Sequence, residues 1–336
     1  MSLDFQAIPP IDRPDVHERL AAGDFGRWMQ HAWWLSTQGY CTLELEDEAF
    51  LADCDAVVAA YSARLARDLE EWEAGRGGPP RVQDGWQELE AVRRLALHPE
   101  VLDLLRVVYG RRPFPFQTLN FAVGSQQTFH SDAVHFHSQP QGFLCGLWIP
   151  LADVQPDSGP LLYYPGSHRQ PYLSAGDLGL TPAQVAAEAH PQVLFEPVWR
   201  EAVERYGLVP QTFLPRRGQV LLWHANLLHG GSPVLSRSAR RWSQVVHYFF
   251  DDCLYTTPLD SFPLEQGGPR LRNPRDIGTG QRRWSAEAWR QLDLTAMPFV
   301  QQAQATSAGE SDAQAGLVPA PSGAPERGGE GAAGQS

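Results

Sequence analysis

The strongest constraint on this chain is a change of texture near residue 116. From there to about residue 250 the sequence breaks into short runs rich in β-branched and aromatic residues, each closed by turn-forming residues. These runs cover residues 116–123, 142–150, 159–164, 220–224 and 242–250. Several short strands with frequent Gly and Pro punctuation predict a double-sheet jelly roll or cupin-like barrel. The stretch 181–206 interrupts them with a helical pattern, and Thr181-Pro182 supplies a cap and first-turn pair. An insertion of this kind can serve as a lid or merely as a structural elaboration.

Before residue 116 the pattern is mainly helical. Residues 15–35, 49–72 and 99–109 carry apolar side chains at helical spacing, with a strand-like segment at 39–45 between the first two. The Gly/Pro-rich connector 75–80 reads as mobile. The expected organisation is a mainly β fold with flanking helices. Residues 1–115 form an N-terminal helical region packing on the core. Residues 116–255 form the core, with a helical insertion at about 176–212, and 256–300 extend the same domain. Residues 301–336 are Ala, Gly, Ser, Gln and Pro with almost no large apolar residue, a composition that predicts a disordered tail.

Composition narrows the function classes. At 336 residues and 43% hydrophobic content the chain can bury a sizeable core. A formal charge of −12 disfavours a nucleic-acid partner, which needs a basic face. All 27 basic residues are Arg. Without lysine there is no Schiff-base amine and no P-loop lysine, so a cofactor carboxylate or phosphate must be met by Arg, hydroxyls, amides, backbone N–H groups or a metal. Cys41, Cys54, Cys145 and Cys253 are scattered singly, which fits a reducing compartment. With no basic-then-apolar leader and no apolar run of ~20 residues, a cytoplasmic protein without a membrane partner is expected. The sequence sets no oligomeric state.

The chemistry concentrates in Phe129-His-Ser-Asp132 and Leu221-Leu-Trp-His-Ala-Asn-Leu-Leu-His-Gly-Gly231. In extended chain, residues i and i+2 project from one face roughly 6–7 Å apart, so His130 and Asp132 can converge on one cation. A second histidine from a distant strand would complete a set of two His and one carboxylate, which leaves open positions on Fe(II) for a bidentate co-substrate and dioxygen. His-x-Asp alone is common; a suitable partner strengthens it. His229 stands where an apolar run breaks into Gly-Gly and is preferred to His224, which lies inside the run as a core histidine. Downstream, Arg240 and Arg241 have opposite parity on a strand returning beside the metal site, so one of them can meet the free carboxylate of a 2-oxoacid.

With His130-x-Asp132, Trp148-x-Pro150, Gly159-Pro-Leu-x-x-x-Pro-Gly-Ser-His168, His229-Gly230 and the Arg-rich approach to His247-Tyr248 in this order, the chain resembles the phytanoyl-CoA dioxygenase (PhyH) family of Fe(II)/2-oxoglutarate oxygenases. The likeness runs from about residue 116 to 250. It implies a double-stranded β-helix, His130, Asp132 and His229 as iron ligands, and 2-oxoglutarate and O2 as co-substrates. Hydroxylation of a small-molecule or acyl substrate, with release of succinate and CO2, is the implied reaction. Alignment back from His247-Tyr248 assigns the 2-oxoglutarate arginine to Arg241; counting forward from His229 assigns it to Arg240. Trp148 matches a position that packs against 2-oxoglutarate, and Gln117 and Asn120 are candidate polar contacts to it. Related halogenases replace the metal carboxylate with a small residue, so Asp132 favours hydroxylation. Two alternatives remain open: a cupin-like metalloenzyme without 2-oxoglutarate, which would add His135 or His137 as a ligand, and a non-catalytic binding module. Arg216, Arg217 and Arg237 are surplus arginines that could meet an anionic substrate.

Overall fold

The computed structural model describes residues 4–285. In chain order its strands are β1 (Tyr40–Glu44), β2 (Arg81–Gln83), β3 (Pro113–Phe121), β4 (His137–Gln139), β5 (Leu144–Pro150), β6 (Leu161–Tyr163), β7 (Gln211–Phe213), β8 (Gln219–His224), β9 (His229–Gly231), β10 (Ser243–Phe250), β11 (Leu254–Thr256) and β12 (Leu271–Arg272). The helices are α1 (Val16–Ala22), α2 (Met29–Gln38), α3 (Glu48–Arg64), α4 (Ala66–Glu73), α5 (Glu90–Ala96), α6 (Pro99–Tyr109), α7 (Pro182–Ala187) and α8 (Glu196–Arg205). The stretch 301–336 lies outside the described residues.

A six-stranded antiparallel sheet in the order β1-β8-β5-β10-β3-β2 forms the main layer, and two three-stranded sheets, β7-β6-β9 and β12-β11-β4, accompany it. Strand alternation divides the packing cleanly. Leu147 and Ile149 of β5, Val220 and Leu222 of β8, and Val246 and Tyr248 of β10 join the helices in one core, against Val57, Val92, Leu95, Leu104 and Leu105. Their neighbours Trp148, Leu221, Trp223 and Val245 face the other way, against Leu161 and Tyr163 of β6 and Phe213 of β7. The result is a jelly-roll core with helices on the outer face of the main sheet.

Three features differ from the sequence expectation. The 49–72 stretch is split at Leu65 into α3 and α4. The 15–35 stretch is broken: α1 ends at Gly23, which adopts the left-handed φ of 80° and donates its N–H to Arg19 and Leu20, before α2 begins. The region before residue 116 also contributes both edges of the main sheet, since β1 pairs with β8 and β2 with β3. Helices and barrel therefore share one hydrophobic core.

The helical insertion holds α7 and α8. Thr181 accepts from Gln184 N–H while the Gln184 side chain accepts from Thr181 N–H, a reciprocal cap on α7. Phe195 and Trp199 bury themselves with Val134, Tyr164 and Leu228, and Phe129 packs at the edge of the cluster. The insertion is thus packed onto the two segments that carry the candidate metal residues.

Candidate active site

His130 and His229 are brought together by backbone pairing. They form an isolated antiparallel bridge in which His130 N–H donates to His229 O at 2.8 Å and His229 N–H donates to His130 O at 3.0 Å. Ser131 between His130 and Asp132 is extended (φ −103°, ψ 131°), so the two flanking side chains share a face although Asp132 itself opens a short 3-10 turn. The Gly-Gly after His229 has a different reason from the one its sequence context suggests. His229 starts β9 rather than leaving a strand end, and a Cβ on Gly230 would lie 2.8 Å from Gln127 O and 2.9 Å from Phe129 backbone atoms. Glycine is there because the segment leading into His130 approaches so closely.

The ligand atoms converge. One nitrogen from each of His130 and His229 and an oxygen of Asp132 all lie within 4.8 Å of one another, and all three residues are buried. Each histidine is oriented by its own chain: His130 Nδ1 lies 2.9 Å from Thr128 O and His229 Nδ1 lies 3.0 Å from Leu227 O. A carbonyl can only accept, so both Nδ1 atoms carry the proton and both Nε2 lone pairs are free for a metal. These Nε2 atoms stand 3.8 Å and 3.7 Å from the Asp132 oxygens.

Asp132 is fixed from behind. Trp223 Nε1–H donates to Asp132 Oδ2 at 2.8 Å, and His247 Nε2 lies 3.1 Å from the same oxygen. With Oδ2 accepting from two groups, Oδ1 is left free and faces His130 at 3.8 Å, while His229 stands 3.7 Å from Oδ2. Trp223 can reach because its cross-strand neighbour is Gly146, where a Cβ would sit 2.2 Å from the indole. Burial alone would push the Asp132 carboxyl up, yet the imidazoles of His229, His247 and His130 hold it well below the usual carboxylate range. Burial, reinforced by His229, lowers His130 to about 4 and keeps it neutral near pH 7, as a ligand must be.

A cavity of about 220 Å³ opens over these groups. Its walls include Trp148, Gln117, Leu119, Phe121, Phe136 and Arg241. Arg241 is 3% exposed. It donates to Gly159 O at 3.1 Å and Val123 O at 3.4 Å, has no carboxylate partner among the described residues, and leaves Nε without an acceptor. Burial lowers it to about 10, so it stays charged at neutral pH. A buried cation without a counter-charge is costly, and the unused donors are what a carboxylate from outside would fill.

The other sequence candidates divide. Arg240 points away from the cavity and pairs with Glu73. Asn120 is also directed elsewhere: it donates to Gln244 Oε1 at 3.1 Å, and Gln244 in turn donates to Val92 O of α5, so this pair belongs to the helix-facing side of the sheet. Strand parity explains it, because Gln117, Leu119 and Phe121 line the cavity and Asn120 has the opposite sense. Trp148 and Gln117 are in the wall. His224 faces away and meets Asp12 Oδ2 at 3.1 Å, and His168 meets Ser36 O at 3.1 Å. His135 reaches Gln192 of the insertion at 2.9 Å, and His137 rests on Tyr172, so neither joins the metal set. Arg216, Arg217 and Arg237 are engaged with Glu44 and Glu46, with Asp55, and over Trp72. Sequence reasoning missed the two groups that hold Asp132. Trp223 was findable, since it shares the parity of Leu221 and is offset by one from the outward His224.

No described helix is long and apolar enough to cross a membrane. The chain is similar to an ectoine dioxygenase of Sphingopyxis alaskensis, 27% identical over 209 residues, covering 58% of this chain and 67% of that protein. It is similar to an ectoine dioxygenase of Nocardia farcinica at 31% over 153 residues, 42% of this chain and 50% of that protein. These matches span about two thirds and half of the relatives' lengths. Among solved structures, a non-heme alpha-ketoglutarate-dependent carbocyclase from nogalamycin biosynthesis superposes with a TM-score of 0.51 at 20% identity, covering 76% of this chain and 93% of that one. That likeness bears on the fold. The family model of phytanoyl-CoA dioxygenase (PhyH) matches residues 36–242, from α2 through the bridge of His130 and His229 to the residue after Arg241, and the chain belongs to that family.

Proposed function

We propose that this protein is an Fe(II)- and 2-oxoglutarate-dependent oxygenase that hydroxylates a small molecule or acyl compound, with release of succinate and CO2. One observation carries the reading: a single cavity holds three convergent metal donors and a buried, uncompensated arginine. His130, Asp132 and His229 would hold the iron, whose chemistry when bound is the activation of O2 with a 2-oxoacid as electron donor. The donor set fits the metal, since two imidazole nitrogens and one carboxylate oxygen converge within 4.8 Å of one another.

The protein's own work is orientation and exclusion. Trp223 and His247 hold Asp132 so that one oxygen remains available. Arg241 would take the distal carboxylate of 2-oxoglutarate through its free donors, with Trp148 beside it; its guanidinium lies 5.5 Å from the Trp148 ring. Phe121, Phe136 and Leu119 keep the walls apolar, which limits water around a reactive site. The carboxylate at position 132 supports hydroxylation over halogenation. A three-histidine metalloenzyme is disfavoured because His135 and His137 are engaged elsewhere.

The test is turnover. Iron-loaded protein should convert 2-oxoglutarate to succinate only with O2 present, and a true substrate should accelerate it. Iron retention with no O2-dependent succinate under any small-molecule pool would reject the reading.

A further inference from the structure

Most arginines of this acidic chain are spoken for. Among the described residues nine arginines have no carboxylate within ion-pair distance; Arg67, Arg111, Arg169 and Arg237 lie elsewhere, and Arg81, Arg241, Arg272, Arg275 and Arg282 line the metal cavity or the cavity that adjoins it. The adjoining space, about 480 Å³, shares Gln83 and Gln117 with the metal cavity and so lies directly beside it, and we term it the mouth. Its arginines come from β12 and the bridge between Arg275 and Arg282 that follows it.

Arg272 is positioned rather than merely exposed. Arg272 lies 4.7 Å over the Phe136 ring and donates to His135 O at 3.2 Å and to Thr257 Oγ1 at 3.1 Å. It thereby ties the mouth to the segment following Asp132. Arg282 donates only to Asn273 O, at 2.7 Å. Gln117 Oε1 is buried in the shared wall with no partner; turned over, its amide would present a donor there. The acidic counterweight is small. Asp84 is the carboxylate in the wall, accepting from Thr118 N–H at 3.2 Å, and Arg270 faces Asp260 at 3.6 Å on the outer side.

We infer that this mouth is an oxyanion subsite, formed by Arg272, Arg275 and Arg282, which takes an acidic group of the prime substrate while the apolar part extends past Phe116 and Phe136 towards the metal. Arginine is suited to it, because a planar fork pairs with carboxylate, sulfate or phosphate oxygens. The inference rests on the oxygenase reading and narrows its substrate to an anion.

The test uses the full chain loaded anaerobically with Fe(II) and saturating 2-oxoglutarate, titrated at constant ionic strength with sulfate and with hexyl sulfate. Both should bind saturably, hexyl sulfate at least tenfold tighter because its chain enters the apolar passage. The variant Arg275→Gln/Arg282→Gln, at exposed positions, and Arg272→Gln should each weaken both probes about tenfold or more. Retention of 2-oxoglutarate, read by equilibrium dialysis on the same samples, should not change. Non-saturable binding, or equal binding by wild type and the double variant, overturns the subsite. Equal affinity for the two probes means a free-anion site and overturns the substrate class. Failure of the wild type to retain 2-oxoglutarate counts against the oxygenase reading and leaves the anion result to stand or fall separately.

Discussion

Two groups of buried histidines lie on either side of the turn from His224 to His229, and only one of them brings its donor atoms together as a metal ion would require. On one side His130, His229 and His247 surround a single carboxylate, and the two outer imidazoles have their Nδ1 atoms held by carbonyls so that their Nε2 atoms converge. On the other, His224 gives Nε2 to Asp12 and accepts Asn226 N–H on Nδ1, His168 gives Nε2 to Ser36 O, and His137 packs on Tyr172. Both His224 nitrogens and His168 Nε2 are spent on separate elements, His137 Nε2 and His168 Nδ1 are buried without a partner, and the second group fastens the N-terminal segment and α2 to the barrel. Abundance of histidine is therefore a poor guide; shared direction of unused lone pairs is the useful one.

The comparison is broken most severely by removing a converging donor. Asp132→Ala or His229→Ala should leave no stoichiometric Fe(II) after desalting, while His168→Gln retains it; iron analysis decides. Next, Arg241→Ala should cost about 2–5 kcal/mol of 2-oxoglutarate binding, roughly 30-fold or more in apparent affinity, because it removes a buried charge partner. Arg240→Ala should change it less than about threefold, since that side chain is engaged by Glu73 at the surface. A reversed order would move the anchor to Arg240.

The supports of Asp132 should rank below the ligands. Gly146→Ala would drive a Cβ into the Trp223 indole and displace its N–H from Asp132, and His247→Gln would alter the second hydrogen bond. Each should weaken iron about 10–100-fold without abolishing it, measured by competition with a chelator.

The second group should reveal itself in stability. Burial lowers His137 and His168 to about 3 in the folded chain, whereas an unfolded histidine titrates near 6.5. Below pH 6.5 the unfolded state binds more protons, so stability falls with pH until the folded value is reached. His137→Phe should remove one such contribution, recovering about 2 kcal/mol at pH 5 relative to its effect at pH 7.5. The smallest expected effect is Asp12→Asn, about 1 kcal/mol, with iron content unchanged.

Much of this was legible in the chain before any coordinates. Turn punctuation and short apolar runs located five barrel strands, and the i, i+2 rule placed His130 beside Asp132. Parity already stated that Arg240 and Arg241 diverge, and the same rule applied to β3 would have separated Gln117 from Asn120. What could not be read was pairing at a distance. Nothing local says that Gly146 lies under Trp223, that Gly230 exists to admit the backbone of 127–129, or that the 39–45 strand closes the edge of the main sheet. The arginines at the mouth were missed for the same reason, since residues 272–282 follow the barrel in sequence and return to it only in space.

The most direct test of the central claim is an anaerobic titration followed by eye and spectrometer. Fe(II) added to the full chain should bind at one ion per chain, and 2-oxoglutarate added next should produce a weak visible charge-transfer band that Arg241→Ala shifts to higher 2-oxoglutarate concentration. One bound iron per chain with no band at saturating 2-oxoglutarate would contradict the account.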